Sequence, residues 1–434
     1  MIEFETKQVG KVKIFTDDIE EEALKQIYEI AESPYAEQHI RIMPDVHAGK
    51  GITIGFSGLI KNYINPEHIG CDIGCNITAE FFDKPIPKDK YVLFEHKIKK
   101  EIPMGFNIND TSIISWKEIM KRFNEVIRKA SSKTKGLIPD NEFKSEKDIS
   151  NWLKKIGIDE GVFYHSIPSV GGGNHFCEYD EGEGKYAITI HCGSRNLGLK
   201  VFNYWNKIAK LASPSKDTIK KITKEVREKT KDKKKIKAEI DKAVQAYKNT
   251  LHPGYLSDEN LKNYLHDMVI CQEYARINHD IIHQKIRDIY KKVCGGKSID
   301  MIKTMHNYID FDSEIPVVRK GAVRSYKGEK FILPFNMKDG LAICEGKSNE
   351  DWNYTAPHGA GRKMSRNAAK KSLNAETFAN EMKEAGIYTT TANQSTLDEA
   401  PEAYKSKEEI IENVKDTCNI LYFMKPKINL KAAE

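Results

Sequence analysis

The chain has 434 residues, a formal net charge of +6 and a hydrophobic content of 39%, which fit a globular protein with a hydrophobic core. No apolar run is long enough to span a bilayer, and the first residues lack the apolar stretch of a signal peptide. These features argue against a membrane protein, so we expect a cytoplasmic location. The net charge permits an anionic partner but does not require one.

The first half of the chain predicts short strands and amphipathic helices. A helix is expected within residues 17–33, followed by buried strands at 39–43 and 51–60. Residues 112–160 have the apolar spacing of helices. Further along, the sequence predicts a glycine-rich turn between extended pieces at 163–180 and a strand that runs into a loop at 185–198.

The second half predicts a long helix over 258–292 that ends at Cys294, Gly295 and Gly296. Strands follow at 315–320, 330–334 and 419–424, with helices near 376–386 and 401–416. Neither an internal repeat nor a linker rich in Pro, Ser and Gly divides the sequence. The simplest fold class is therefore α+β, with residues 1–434 in a single domain.

Residues 214–249 form a lysine-rich segment with a helical pattern. A solvated helix or helical hairpin inserted at the surface is the favoured interpretation. The alternative is an electrostatic surface for nucleic-acid phosphates.

Residue types that carry chemistry gather in short segments flanked by glycine. Eight cysteines without an export signal indicate buried thiols or metal ligands, not a disulfide scaffold. The polar residues of these segments are Asp45, His47, Asp72, Cys75, Asn174, His175, Glu178, His191, Arg195, His306, Asn307 and His358.

A thiol, a carboxylate and several imidazoles form a mixed donor set. Such a set suits Mn²⁺, Zn²⁺, Fe²⁺ or Co²⁺ better than Mg²⁺. The scatter of these residues through the chain favours a catalytic site assembled by the fold over a local zinc knuckle. Any one of these histidines, taken alone, is more often a hydrogen-bonded core or surface residue than a ligand.

The segment from His358 to Arg362 places an imidazole beside Gly359, Ala360 and Gly361. A neutral imidazole can attack phosphorus, glycines let backbone N–H groups approach phosphate oxygens, and an arginine can bind phosphate. The alternative is a glycine turn whose histidine caps the next helix. The chain contains neither a P-loop nor a dinucleotide-binding fingerprint nor a K-x-D-G lysine motif.

Taken together, these segments resemble the RtcB family of RNA ligases. The matching stretches are HIRIMPDVHAGKGITIG, GCDIGCN, GGGNHFCE, HCGSRNLG, HNYID, VVRKGAV, HGAGRKMSR and DEAPEAYK, in the family's order. The resemblance implies the family's α+β fold, with central β-sheets surrounded by helices and a lysine-rich helical insertion near 214–249. It also implies an enzyme that joins RNA ending in a 3′-phosphate or 2′,3′-cyclic phosphate to RNA with a 5′-OH.

The resemblance further implies two Mn²⁺ ions and GTP as cofactors, with His358 attacking the α-phosphate of GTP and carrying GMP. One ion would be held by Cys75, His175 and His191, and the second by Asp72, Cys75 and His306. The implied guanylate site comprises Asn174, His175, Phe176, Cys177, Glu178, His306, Asn307, Pro334, Phe335, Asn336, Met337, Gly359, Ala360, Gly361, Tyr404 and Lys431. Arg195 and Arg362 would face RNA or phosphate.

RNA with broken or spliced tRNA-like ends is the implied substrate, in tRNA splicing or RNA repair, and the resemblance allows for an activator of the archease type. The sequence departs from the family in the loop near 334–341, where Asn336, Lys338 and Leu341 replace serine, glycine and serine, and at the C-terminus, which lacks the family's closing lysine-glycine. Two alternatives follow: an RNA-end phosphohydrolase or cyclic phosphodiesterase that does not ligate, and a non-catalytic RNA-binding member.

Overall fold

The computed structural model describes residues 1–211, 216–229, 235–249 and 254–432. The strands in chain order are β1 (Ile2–Thr6), β2 (Gly10–Ile14), β3 (Gln38–His47), β4 (Ile54–Leu59), β5 (Asn76–Phe82), β6 (Phe176–Gly182), β7 (Lys185–Cys192), β8 (Ser298–Met305), β9 (Asn307–Asp310), β10 (Val317–Lys320), β11 (Ala322–Arg324), β12 (Lys330–Asn336), β13 (Gly340–Gly346), β14 (Thr355–Pro357) and β15 (Cys418–Leu430).

The helices in chain order are α1 (Glu21–Ala31), α2 (Tyr91–Glu101), α3 (Trp116–Lys133), α4 (Glu146–Ile156), α5 (Glu160–His165), α6 (Arg195–Leu211), α7 (Lys216–Lys229), α8 (Ile236–Asn249), α9 (Asp258–Cys294), α10 (Arg366–Ser372), α11 (Ala375–Glu384) and α12 (Lys407–Asn413). Two short 3₁₀ helices, Gln394–Glu399 and Pro401–Ala403, precede α12.

Two sheets contain most of the strands. One has the order β1-β2-β3-β4-β10-β9 and is antiparallel except for the β2–β3 pair. The other has the order β12-β13-β15-β6-β7-β5-β8 and is antiparallel throughout. The short pair β11–β14 forms a separate ladder. Helices flank these sheets, which confirms the predicted α+β class with central sheets.

Helix α9 belongs to both main hydrophobic cores. Its N-terminal half, including Leu265 and Met268, packs in the cluster that contains the first sheet with α1, α3 and α6. Its C-terminal half, including Ile282 and Ile286, packs in the cluster formed by α2 and the second sheet. The helix ends at Gly295, whose φ of 70° is accessible to glycine without strain. The helix predicted at 258–292 is therefore confirmed.

Several local predictions differ from the structure. The loop expected after the strand at 185–198 is present but covers only residues 193 and 194, because α6 begins at Arg195. The segment expected to be extended near 163–165 is the end of α5. The helix expected over 401–416 is shorter and covers only Lys407–Asn413, since Ser406 caps its N-terminus.

The lysine-rich segment contains the predicted helices, α7 and α8, which pack against each other as a hairpin. Residues 230–234 of this segment, and 214–215 at its start, lie outside the described residues. All eight cysteines lie in the described residues, and none of them forms a disulfide. In the described ranges, every helix is too short or too polar to cross a bilayer.

Candidate active site

Four strands of the second sheet bring the predicted metal ligands to the same edge of the sheet, at the ends of these strands and not along an outer strand. Cys75 immediately precedes β5, His175 immediately precedes β6, His191 lies near the end of β7, and His306 follows β8. The register pairs His191 with both Phe176 and Ile77. Because β6, β7, β5 and β8 are neighbours in the sheet, residues from distant parts of the chain meet at this edge.

The sulfur and imidazole atoms at this edge lie within contact of one another. Cys75 Sγ is 3.3 Å from Nε2 of His175 and 3.3 Å from Nε2 of His191. These three ligand atoms all lie within 4.8 Å of one another. One thiolate and two imidazoles in this arrangement fit a transition ion such as Zn²⁺ or Mn²⁺.

The remaining two predicted ligands adjoin this cluster. Asp72 Oδ2 is 2.9 Å from His175 Nε2, and His306 Nε2 is 3.2 Å from His191 Nε2. Although burial alone would raise the pKa of Asp72, the neighbouring His175 and further hydrogen bonds lower it to about 2. The structure thus brings all five predicted metal ligands together, and Cys75 belongs to both of the predicted ligand sets.

A backbone contact fixes the orientation of His191. Its Nδ1–H donates to the carbonyl oxygen of Asn174 at 3.0 Å, which leaves the lone pair of Nε2 for the cluster. Burial, followed by the rings of His175 and His306, holds the pKa of His191 well below its ordinary value. The imidazole is therefore neutral near pH 7, the form that binds metal.

Burial shifts the pKa of the Cys75 thiol in the opposite direction, because it favours the neutral form of both groups. It raises the pKa of Cys75 well above its ordinary value, and the Asp72 carboxylate raises the pKa further. A metal ion that binds here must therefore displace the proton of the thiol.

His358 lies directly after β14, beside the metal-type cluster. The centres of the His358 and His306 rings are 5.0 Å apart. Asp45 Oδ2 on β3 accepts a hydrogen bond from His358 Nδ1 at 2.6 Å and another from the His358 backbone N–H at 3.0 Å. Because a carboxylate can only accept, the neutral ring of His358 carries its proton on Nδ1 and its lone pair on Nε2. His358 does not cap α10, which is capped by Ser365.

Gly361, three residues after His358, allows two segments of the chain to contact each other. Gly361 has φ of 74°, and a side chain there would clash with the backbone of Asp45. Only glycine therefore lets the segment after His358 lie flat against β3.

These groups open into one cavity of about 1200 Å³. A cavity of this size accommodates a nucleotide together with a further group. The residues predicted from the sequence that line it are Asp72, Cys75, Asn174, His175, Phe176, Glu178, His191, Arg195, His306, Asn307, Pro334, Phe335, Asn336, Met337, His358, Gly359, Ala360, Gly361, Arg362, Tyr404 and Lys431.

Cys177 is the exception among the predicted residues. Its neighbours Phe176 and Glu178 line the cavity, and side chains alternate along β6. Cys177 therefore points to the other face, where it is buried in a core cluster with Ile428 and Tyr179. The structure corrects the placement of this side chain in the guanylate site.

One end of the cavity contains a buried ion-pair network. Lys431 Nζ is 3.0 Å from Glu399 Oε2, and the Tyr404 hydroxyl donates to the same oxygen at 2.6 Å. Burial alone would raise the pKa of Glu399, but Lys431, Arg366 and Arg362 lower it to about 2. Glu399 is thus ionised at neutral pH and holds Lys431 in place.

Glu178 lies at the same end of the cavity, and its pKa is shifted in the opposite direction to that of Glu399. Burial, together with the neighbouring Asp180, raises its pKa well above the usual range. The Asn429 amide donates a hydrogen bond to Glu178 Oε2. A protonated Glu178 would offer both a donor and an acceptor to a polar ligand.

The two arginines predicted to face phosphate are already hydrogen-bonded to the protein. Arg195 donates to Ser169 Oγ at 2.9 Å and to the Gly105 carbonyl at 2.6 Å. Arg362 donates to Glu399 Oε1 at 3.2 Å and to the carbonyl oxygens of Asp398 and Met364. Both line the cavity, but the guanidinium of Arg362 is largely used to hold the ion-pair network together.

The altered loop near 334–341 is a tight connection between β12 and β13. Asn336 Oδ1 accepts from the backbone N–H groups of Lys338 and Asp339 at 2.9 Å each. Lys338 Nζ forms an ion pair with Glu381 at 2.7 Å. Asn336 thus stabilises this turn and Lys338 connects it to α11, while Asn336 and Met337 still line the cavity.

Three residues of the site were not assigned a role from the sequence. Asp45 lies in one of the glycine-flanked segments, but nothing in that segment indicates His358 as its partner. Glu399 lies within the DEAPEAYK stretch that carries the family resemblance, so that stretch was the available signal. Asn429 had no local signal, since it is one polar residue within the strand β15.

Comparison with known proteins agrees with this geometry. The family model described as tRNA-splicing ligase RtcB matches residues 26–432. The chain belongs to this family.

Curated relatives match over most of their length. The chain is 26% identical to the "RNA-splicing ligase RtcB" of Escherichia coli (strain K12), over 98% of each chain. It is 25% identical to the "tRNA-splicing ligase RtcB" of Archaeoglobus fulgidus, over 91% of this chain and 88% of the relative. A third relative, the "tRNA-splicing ligase RtcB" of Aeropyrum pernix, is 26% identical over 85% of this chain and 82% of its own.

Proposed function

We propose that the chain is an RNA ligase that joins RNA ending in a 3′-phosphate or 2′,3′-cyclic phosphate to RNA with a 5′-OH. The observation that carries the proposal is the position of His358 in the cavity. Asp45 holds its Nδ1–H, so Nε2 has a lone pair available, and the ring lies 5.0 Å from that of His306. Family membership and the names of the relatives support an RNA substrate.

His358 Nε2 would attack the α-phosphorus of GTP, forming a P–N bond while the bond to pyrophosphate breaks. An oxygen of the RNA 3′-phosphate would then attack the same phosphorus and release His358, which leaves GMP joined to the RNA end. Finally the 5′-OH would attack the RNA 3′-phosphorus, forming the phosphodiester as the bond to GMP breaks, and its proton would pass to the departing GMP phosphate or to solvent. Asp45 would keep the ring in one orientation in the first two steps.

Cys75, His175 and His191 would hold one divalent ion, with Asp72 and His306 completing a second site that shares Cys75. Bound Mn²⁺ would neutralise charge on the phosphate oxygens as they react. The mixed donor set of thiol, imidazole and carboxylate fits such an ion.

Guanine would lie at the end of the cavity that contains Glu178, Tyr404 and Lys431. Lys431 is a cation that can donate hydrogen bonds to the acceptor edge of a purine. A protonated Glu178 carboxyl can both donate hydrogen bonds to the polar groups of the base and accept hydrogen bonds from them. The cytoplasmic location, the single domain and the need for an archease-type activator stay predictions.

The test is the incubation of the pure protein with [α-³²P]GTP and Mn²⁺, with ATP in parallel. We expect wild type to retain an acid-labile, alkali-stable label from GTP, and His358→Ala to retain none. His96→Ala is the matched control, because His96 is exposed and outside the cavity, and it should label like wild type. Equal labelling of His358→Ala would contradict the assignment of the nucleophile.

RNA substrates separate the alternatives in the same experiment. A cyclic phosphate end converted to a 3′-phosphate, without joined product or labelled protein, would indicate a phosphohydrolase. RNA binding that falls with salt, without any change at either end, would indicate a non-catalytic member.

A further inference from the structure

The hairpin formed by α7 and α8 carries most of the net charge of the chain. Residues 216–229 and 235–249 contain ten lysines and arginines against five aspartates and glutamates, a net charge of +5 out of +6 for the whole protein. The rest of the chain is therefore nearly neutral. A charge this concentrated in a surface hairpin indicates an anionic partner.

The positive residues lie on the outer face of the hairpin. Lys221, Lys224 and Arg227 are exposed, whereas Ile222 and Val226, on the other side of α7, are half-buried. Residues at i, i+3 and i+6 fall within a third of the helix circumference, so these three cations form one stripe about 9 Å long. Arg227 and Lys224 also border a shallow groove on α7.

The internal ion pairing of this stripe is weak. Lys224 and Glu228 form an ion pair with an N–O distance of 4.0 Å, and their side chains are 80% and 63% exposed. Exposed pairs of this kind contribute little, so these cations can exchange carboxylate contacts for phosphate contacts at small cost.

Helix α6 connects the hairpin to the candidate active site. Its first residues, Arg195, Asn196 and Leu199, line the cavity, and the helix then runs to Leu211. Seventeen residues of α-helix extend about 25 Å, so the end of α6 that precedes the hairpin in the chain lies about that far from the cavity. The returning chain is anchored where Gly254 N–H donates to the Ala209 carbonyl at 3.2 Å.

We propose that the α7–α8 hairpin binds the phosphate backbone of the RNA substrate away from its reacting end. This inference rests on the proposed function for the choice of RNA. The half-buried apolar residues between the helices leave the exposed face polar, which suits phosphates and not insertion into a bilayer. Contacts of this type are independent of base sequence, so they position the RNA without selecting it.

Because the hairpin lies away from the cavity, its contribution to binding should depend on the length of the RNA. A B-DNA duplex rises about 3.4 Å per base step and the A-form duplex of RNA rises less, so about 25 Å corresponds to roughly seven to nine steps. RNA that extends further from the reacting end reaches the hairpin, and shorter RNA fills only the cavity. The hairpin should therefore improve the binding of long substrates alone.

The test uses the full-length protein and a 30-nucleotide hairpin RNA with unreactive 3′-OH and 5′-phosphate ends. The variant combines Lys221→Gln, Lys224→Gln and Arg227→Gln, because glutamine maintains helix propensity while removing charge. The control combines Lys117→Gln, Lys121→Gln and Lys129→Gln on the exposed face of α3. Circular dichroism should give the same helix content for all three proteins.

We expect the α7 variant to bind this RNA about tenfold more weakly than wild type at 0.1 M salt, with the slope of log K against log salt reduced by about 2 to 3. The α3 control should bind like wild type. Equal losses in both variants would show a general charge effect and overturn the proposal, as would unchanged binding by the α7 variant. Binding of the wild-type protein to vesicles containing phosphatidylserine, without binding to RNA, would also overturn it.

The binding measurement does not depend on catalysis, so it separates this proposal from the proposed function. If neither wild type nor either variant ligates RNA but the α7 variant still loses RNA binding, the ligase proposal fails and the hairpin proposal holds. If joining occurs, the α7 variant should raise KM for long RNA about tenfold and leave the joining of six-nucleotide strands unchanged. An equal rise in KM for both lengths would contradict the role of the hairpin.

Discussion

Asp45 accepts two hydrogen bonds from His358 through the same oxygen, one from the ring at 2.6 Å and one from the backbone at 3.0 Å. The two residues are 313 positions apart in the chain. The pair fixes both the tautomer and the direction of the imidazole, as a carboxylate does for the base of a hydrolase triad. Asp45 is therefore a positioning residue for the proposed nucleophile.

Asp45→Asn should slow the guanylylation of His358 by about 10²-fold or more, because an amide can hold the ring in the wrong tautomer and does not stabilise a positive imidazole. The measurement is the single-turnover rate of labelling with [α-³²P]GTP, together with the affinity for GTP. A positioning role predicts a lower rate with little change in affinity.

Asp89→Asn is a suitable control, since Asp89 is exposed and remote from the cavity. It should label at the wild-type rate. If Asp45→Asn also labels at that rate, the hydrogen bond to His358 has no part in the reaction.

Cys75 and Cys71 offer a matched test of the metal site. Cys75 Sγ lies 3.3 Å from two imidazole nitrogens, whereas Cys71, four residues earlier, is exposed. Cys75→Ala should lower the affinity for Mn²⁺ at least about 100-fold, because losing a direct ligand costs at least as much as losing one of its supporting partners.

Isothermal titration of Mn²⁺ into each variant checks this prediction, and Cys71→Ala should retain the wild-type affinity. Similar affinities for wild type and Cys75→Ala would exclude Cys75 as a ligand. A loss of affinity in Cys71→Ala alone would place the ion nearer to the mouth of the cavity.

Local patterns predicted the long elements of the fold and missed several short ones. Helix α9 has apolar residues at helical spacing and ends at a glycine, so its bounds follow from the sequence. The start of α6 does not, because Arg195 has a positive φ of 54°, a conformation that local propensity does not favour for arginine. Sheet order was also inaccessible, since β10 pairs with β4 across a long stretch of chain.

Rare residue types and the family resemblance indicated which residues form the site, and all but the Cys177 side chain line one cavity. Their partners could not be predicted, because spacing along the chain does not encode contacts made by folding. The side of β6 that faces the cavity depends on which face of the strand packs on α9, and this placed Cys177 in the core. The pairing of Glu399 with Lys431 likewise could not be predicted from the spacing of these residues along the chain.

Arg362 should contribute more to stability than its predicted role in binding phosphate suggests. Its guanidinium donates to Glu399, Tyr404, Asp398 and Met364. Lysine cannot reproduce this forked geometry. Arg362→Lys should therefore lower the free energy of unfolding by about 1 to 3 kcal/mol, as measured by urea denaturation.

Arg128→Lys is the control, because Arg128 forms an exposed ion pair with Glu142 and is 53% exposed. It should change the free energy of unfolding by less than about 0.5 kcal/mol. A stable Arg362→Lys protein with a raised KM for RNA would instead assign Arg362 to substrate phosphate.

Glu399 should make the stability of the protein depend on pH in the acid range. Its pKa is about 2 in the folded protein, against about 4.3 in an unfolded chain. Because the folded value is the lower one, the stabilisation is fully present above about pH 4.3 and is lost as the pH falls towards 2. By linkage it amounts to about 3 kcal/mol at neutral pH.

Glu399→Gln removes this titration. At pH 7 the variant should be less stable than wild type by about 3 kcal/mol, and more if Lys431 is left without its counter-ion. Between pH 4 and pH 2 the difference should shrink, because wild type loses the contribution that the variant already lacks. Urea denaturation at pH 7, 4 and 3 measures this, and a difference that stays constant with pH would show that the pKa of Glu399 is the same in the folded and unfolded states.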